Sequence, residues 1–111
     1  MAALTAVSVT AAGATPAPVA VASSDTIAAS QFGPNGCIIR VINAGGSPDS
    51  FTVSDPTLTD LGNTGSPAAV SVPNGQTRMI FIPKLAINQA TQLATVNHSF
   101  TTSVTCELYS V

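Results

Sequence analysis

An all-β sandwich is the fold this sequence predicts, and three observations predict it. Apolar residues never hold the i, i+3, i+4, i+7 spacing of an amphipathic helix for three turns. Prolines at 16, 18, 34, 48, 56, 67, 73 and 83 punctuate the chain at strand-sized intervals. Between positions 68 and 82, two β-type apolar runs flank a Pro73-Asn74-Gly75 turn, in which Pro73 presets φ and Asn74 and Gly75 tolerate left-handed backbone.

The elements follow in chain order. Strands are expected at 4–10, 19–22, 37–43, 50–54, 68–72, 77–82 and 100–110, with a weaker one at 92–96. Seven to eight short strands fit a single β-sandwich, immunoglobulin-like or jelly-roll-like. In the strand at 37–43, Cys37, Ile39 and Val41 take one parity and Ile38, Arg40 and Ile42 the other; Arg40 marks the second face as wet or as an interface. Met79 to Ile82 read as an almost fully buried strand after the turn, which leaves two strand orders open: a hairpin, or a crossing between sheets. In the last strand, Phe100, Val104, Cys106 and Leu108 share a buried parity, while Thr101, Ser103, Thr105, Glu107 and Tyr109 form the polar one. Residues 1–24 read as an extended N-terminal arm with room for a first strand, and 25–111 as the sandwich domain. The loops at 43–49 and 55–67 are long enough to make contacts.

Composition narrows the function. The 111 residues hold three basic and five acidic side chains, 7% charged against roughly 25% in an average domain. Serine and threonine number 26, so polarity here comes from hydroxyls. A lone soluble domain generally carries more charge than this; a subunit whose surface is covered by neighbours does not need it. Three basic residues give no grip on phosphates, and four Phe with one Tyr give little to stack on bases, so nucleic acid is not expected as a partner. The apolar stretch at 2–22 lacks a basic start and is broken by Gly13, Pro16 and Pro18, and no run reaches the ~18 residues of a membrane span. Membrane association is therefore not expected either.

No grouping of residues supplies catalysis. His98 is the only histidine, which rules out a cluster of histidine ligands and reads as a turn cap. Asp49, Asp55 and Asp60 do not match a calcium loop and read as turn and capping residues. Gly45-Gly46 and Gly62-Asn63-Thr64-Gly65 lack the Gly-Lys-Ser/Thr continuation of a phosphate loop. The expectation is no enzyme, no cofactor and no metal. Cys37 and Cys106 sit in apolar runs and read as core filling, with parities that send both toward one interior where they could touch. With so few charges, Arg40, Arg78 and Lys84 are candidates to pair across subunits with Asp25, Asp49, Asp55, Asp60 or Glu107, the alternative for each being a solvated side chain.

Taken in order, Gly36-Cys37-Ile38-Ile39-Arg40-Val41-Ile42-Asn43-Ala44-Gly45-Gly46-Ser47, Phe51-Thr52-Val53, Gly62-Asn63-Thr64-Gly65, Val70 to Arg78 and a Thr-rich last strand resemble a known group. They are similar to the small β-sandwich proteins encoded among tailed-bacteriophage structural genes, including capsid decoration (cement) proteins. The similarity spans about 33–111, and the turn at Pro73 to Gly75 is its most recognisable part. The group brings no catalytic residues. The resemblance implies a virion protein on the outer surface of the capsid, assembled in the host cytoplasm, with the major capsid protein and its own copies, as a homotrimer, for partners.

On that expectation the arm, through Leu4, Val7 and Val9, contacts the capsid or a neighbouring copy by strand addition. Arg40, Asp49, Asp55, Asp60, Arg78 and Lys84 complete the candidate interface. A tail, neck or tail-tip protein of the same virion is the first alternative. A carbohydrate-binding or adhesin sandwich is the second, weakened by the absence of Trp and the single Tyr109.

Overall fold

The computed structural model describes residues 2–8, 11–13, 18–54, 61 and 69–111. Its strands are β1 (Ala2–Leu4), β2 (Val7–Ser8), β3 (Val19–Ala20), β4 (Ser24–Ala28), β5 (Cys37–Asn43), β6 (Asp49–Val53), β7 (Val70–Val72), β8 (Thr77–Ile82), β9 (Leu93–His98) and β10 (Val104–Ser110). Two short 3-10 turns, Ala29–Gln31 and Lys84–Ala86, are the helical elements among the described residues.

The pairing is nested like one long hairpin: β3 with β10, β4 with β9, β5 with β8 and β6 with β7, all antiparallel. Two more antiparallel contacts, β10 to β5 and β9 to β6, roll that hairpin into two sheets, ordered β3-β10-β5-β8 and β4-β9-β6-β7. This is jelly-roll order, which settles which of the two sandwiches the sequence encodes. The Pro73 turn is accordingly a crossing between sheets, not a hairpin. Gln76 N–H donates to the Pro73 carbonyl at 3.1 Å, and Gly75 takes the positive φ of +77° that the turn needs.

The two sheets bury their facing parities against each other. β5 alternates as its sequence predicts, with Cys37, Ile39, Val41 and Asn43 buried and the residues between them half-exposed. Ile27, Phe51, Val72, Ile82, Val96, Val104 and Leu108 fill the rest of the interior. Each such side chain contributes about 1.5–3 kcal/mol by leaving water.

Four expectations need correction. The segment 1–24 is not an extended arm in the described residues. β1 pairs parallel with β4 and β2 parallel with β10, so this segment adds a strand to the edge of each sheet, and β3 belongs to the roll itself. Leu4 is 5% exposed and sits in the core, because an apolar side chain on β1 faces the space between the sheets. Phe100 to Ser103 form a turn instead of extending the last strand, with Ser103 at φ +57°. Met79 and Phe81, expected inside, are 63% and 55% exposed, since they share their parity with Arg40 and Ile38 on the outer face of the sheet.

Candidate interaction surface

The connections β5–β6, β7–β8 and β9–β10 meet at one end of the sandwich, and two buried polar groups tie them together. Asn43, 1% exposed, donates through Nδ2 to the carbonyls of Ser47 (2.7 Å) and Val72 (3.0 Å), and its Oδ1 accepts the Gly45 N–H at 2.9 Å. Gly45 is required by close approach: a Cβ there would stand 2.3 Å from the Thr102 carbonyl oxygen. Asp49 is the second group. Its Oδ1 accepts the N–H groups of Ser99 and Phe100 at 3.0 and 3.2 Å, and its Oδ2 lies 2.6 Å from His98 Nδ1.

His98 is therefore no turn cap. It points inward from β9, tilted against the Phe51 ring at a centroid distance of 5.0 Å, and both its side chain and that of Asp49 are wholly buried. An Asp–His pair is also the orienting half of a hydrolytic triad. Here, however, His98 Nε2 has no hydrogen-bond partner among the described residues, so no hydroxyl or thiol is held beside it, and the enclosing side chains leave a substrate no approach. What the pair does is fasten β6 to β9 and to the turn that starts β10.

Cys37 and Cys106 both face the interior as free thiols. They do not touch: Cys37 is opposite Ser110 in the β5–β10 register, four residues along the strand from Cys106. That is roughly 13 Å at 3.3 Å per residue, beyond the reach of a disulfide. Burial pushes the Cys106 thiol from 9.0 up to about 12, with the charges of Asp25 and Glu107 adding to it, and burial raises Cys37 in the same direction.

A thiol whose pKa is raised by folding stabilises the fold while pH stays below the unfolded value. The contribution is lost as pH climbs from about 9 toward 12. Urea unfolding should therefore show the protein about 2 kcal/mol less stable at pH 10.5 than at pH 8. Cys106→Ala should flatten that dependence, and both native thiols should resist alkylation at pH 8.

The outer face of the β10-β5-β8 sheet is open to a partner. Cross-strand register sets Ile38 between Tyr109 and Phe81, and Arg40 between Glu107 and Met79. Ile38, Arg40, Met79, Tyr109 and Val111 line a shallow depression of about 400 Å³ there. Arg40 Nη1 donates to Glu107 Oε1 at 2.7 Å, and the same oxygen accepts the Tyr109 hydroxyl at 3.1 Å. The Glu107 hydrogen bond and charge raise the Arg40 pKa; burial first and then the Glu107 hydrogen bond raise that of Tyr109. A second hollow of about 360 Å³ lies beside the edge of β10, between β2 and β3, against Leu4, Cys106 and Glu107.

The candidate interface residues thus divide. Leu4 and Asp49 are interior; of the acids offered as charge partners for Arg40, Arg78 and Lys84, Asp25 is interior too and Glu107 is buried on the outer face beside Arg40. Arg40 pairs within its own chain. Val7 is half-buried on β2, while Arg78 and Lys84 are exposed. Val9, Asp55 and Asp60 lie outside the described residues, as does the Gly62–Gly65 turn. The exposed pair Met79 and Phe81 was missed, although its parity, shared with Thr77 across from Ile42, was a signal that could have found it. Comparison with known protein families, with curated proteins and with solved structures finds no match for this chain.

Proposed function

We propose that this chain is a structural virion protein, a capsid decoration protein that binds the outer surface of a tailed-phage head and stabilises the junctions between capsomers. The observation that carries the binding part is the outer sheet face, where Met79 and Phe81 stand more than half exposed on a surface otherwise rich in hydroxyls. Exposed large apolar side chains grouped on one face mark sites of association. The phage part rests on the resemblance in motif order and on analogy with jelly rolls in viral shells, which is an argument from fold and not from a site.

In this reading the rolled sandwich is a rigid support and the chain binds without transforming its partner. A shell that repeats one contact over many copies gains stability even where each contact is weak. The homotrimer belongs to the same proposal, as does the location outside the capsid.

Copy number tests it. Purified particles of the phage encoding this chain should carry hundreds of copies by quantitative mass spectrometry, resolved on the outside of the head by particle imaging. A ring of a dozen or fewer at the neck or tail would replace this reading with the tail alternative. Absence from the particle would overturn both, and millimolar or tighter sugar binding by the isolated chain would then favour the adhesin reading.

A further inference from the structure

We propose that Asn74 is a site of slow self-modification, at which the Gly75 nitrogen displaces the Asn74 amide to give isoaspartate or aspartate, and that buried Asn43 sets the rate by holding that nitrogen. The inference stands apart from the capsid reading. Two Asn-Gly pairs occur in the chain, Asn35-Gly36 and Asn74-Gly75, each directly after a proline. A following glycine leaves the attacking nitrogen unshielded, because it has no Cβ.

The second pair is the open one. Asn74 and Gly75 are both exposed, and a Cβ on Gly75 would meet nothing within 4 Å, so water and hydroxide have room around the nitrogen. Gly36, by contrast, is buried, and Asn35 Nδ2, the group that would leave, donates to the Val111 carbonyl at 3.2 Å.

The step needs no co-reactant but water. Hydroxide takes the Gly75 N–H proton, the nitrogen bonds to Asn74 Cγ through its freed electron pair, and Nδ2 leaves as ammonia with a proton from water, closing a cyclic imide. One water then opens the imide. Opening at the Asn74 main-chain carbonyl gives isoaspartate, which carries the chain through the side-chain carbon and frees a carboxylate, while opening at Cγ gives aspartate. Nothing is oxidised or reduced.

The fold guards the nitrogen in two ways. Its N–H donates to the Asn43 carbonyl at 2.7 Å, and Asn43 is itself fixed by side-chain bonds to Ser47, Val72 and Gly45. The Gln76 bond to Pro73, with Gly75 at φ +77°, also makes a type II turn, whose ψ of about +120° at Asn74 turns the Gly75 nitrogen away from the side chain. Reaction therefore waits on opening of this end of the sandwich.

The test incubates purified chain at mildly alkaline pH and counts the products at positions 35 and 74 by peptide mapping with mass spectrometry. Three samples are compared: folded wild type, folded Asn43→Ala, and wild type held unfolded in urea. Folded wild type should convert Asn74 at least about tenfold more slowly than the unfolded chain does, and Asn43→Ala should convert it at least about fivefold faster than folded wild type. Asn35 should keep its wild-type rate in Asn43→Ala, since it lies beyond the other end of β5. In folded wild type the Gly75 N–H should exchange with deuterium slowly, by a factor that matches the slowing at Asn74, and this measurement decides alone if Asn43→Ala does not fold.

No conversion at Asn74 in urea would overturn the site. Folded Asn74 that converts as fast as in urea, or a Gly75 N–H that exchanges without protection, would overturn the guard. Equal acceleration at positions 35 and 74 in Asn43→Ala would trace the effect to the whole fold and overturn the control assigned to Asn43.

Discussion

Asp49→Ala should destabilise the protein by about 4 kcal/mol, since breaking a buried polar pair by removing one partner typically costs 3–5 kcal/mol. The reason lies in what the carboxylate leaves behind. Its removal strands the N–H groups of Ser99 and Phe100 and the Nδ1 atom of a wholly buried imidazole, none of which can reach water without opening the end of the sandwich. For a chain of this length the loss corresponds to a fall of about 15 °C in melting temperature. Asp49→Asn should lose less, because its Oδ1 still accepts both backbone N–H groups and its amide still donates to Nδ1. Thermal melts of the two variants and of His98→Leu, closed into a double-mutant cycle with Asp49→Ala, should give a coupling above ~1 kcal/mol. A melting temperature for Asp49→Ala within about 3 °C of wild type would show that the carboxylate holds nothing together.

Much of the fold was legible because strand alternation is a local property. β5 and β8 begin and end where the sequence predicts, at 37–43 and 77–82, and the inward parity of Val104, Cys106 and Leu108 is plain in the sequence. What escaped was non-local. β4 reads Ser-Asp-Thr-Ile-Ala, too polar to be taken for a central strand, yet Asp25 and Thr26 are buried there. The choice of the jelly roll over an immunoglobulin-like order depends on β4 meeting β9 and β5 meeting β8, pairings that no periodicity encodes.

The same limit governs the polar interior and the surface. Asp49 and His98 are 49 residues apart in the chain, and nothing near either one announces the other. The signal available was parity: had the strand expected at 92–96 been carried to 98, His98 would have fallen in line with Ala94 and Val96, facing inward. The outer face was half legible. Arg40 flagged one strand of it as wet or in contact, but the run Met79 to Ile82 looked buried because every residue in it is apolar, and only the pairing with β5 shows that alternate members face out.

Deleting residues 1–8 should weaken the fold itself, by at least the 2–5 kcal/mol that truncating a buried leucine costs. The deletion takes Leu4 from the core, the Ala6 N–H that donates to Gln31 Oε1 at 2.8 Å, and the contact of Ser8 Oγ with Ser110 Oγ at 3.0 Å. It also uncovers the edges of β4 and β10, whose outer backbone groups then lack their parallel strands. Melting temperature should drop by roughly 10–20 °C, with the purified protein more prone to associate through the bared edges. An extended arm that ordered only against a neighbour would behave otherwise: its removal would leave the melting curve of the isolated chain where it was and change only assembly. The two outcomes separate at the level of the purified protein, before any particle is involved. They also decide how a loss of capsid binding by such a deletion is to be understood. If the truncated chain is already destabilised, weaker binding reports a damaged scaffold, whereas the proposed binding role of the outer sheet face must be tested by substitutions that leave Leu4 in its place between the sheets.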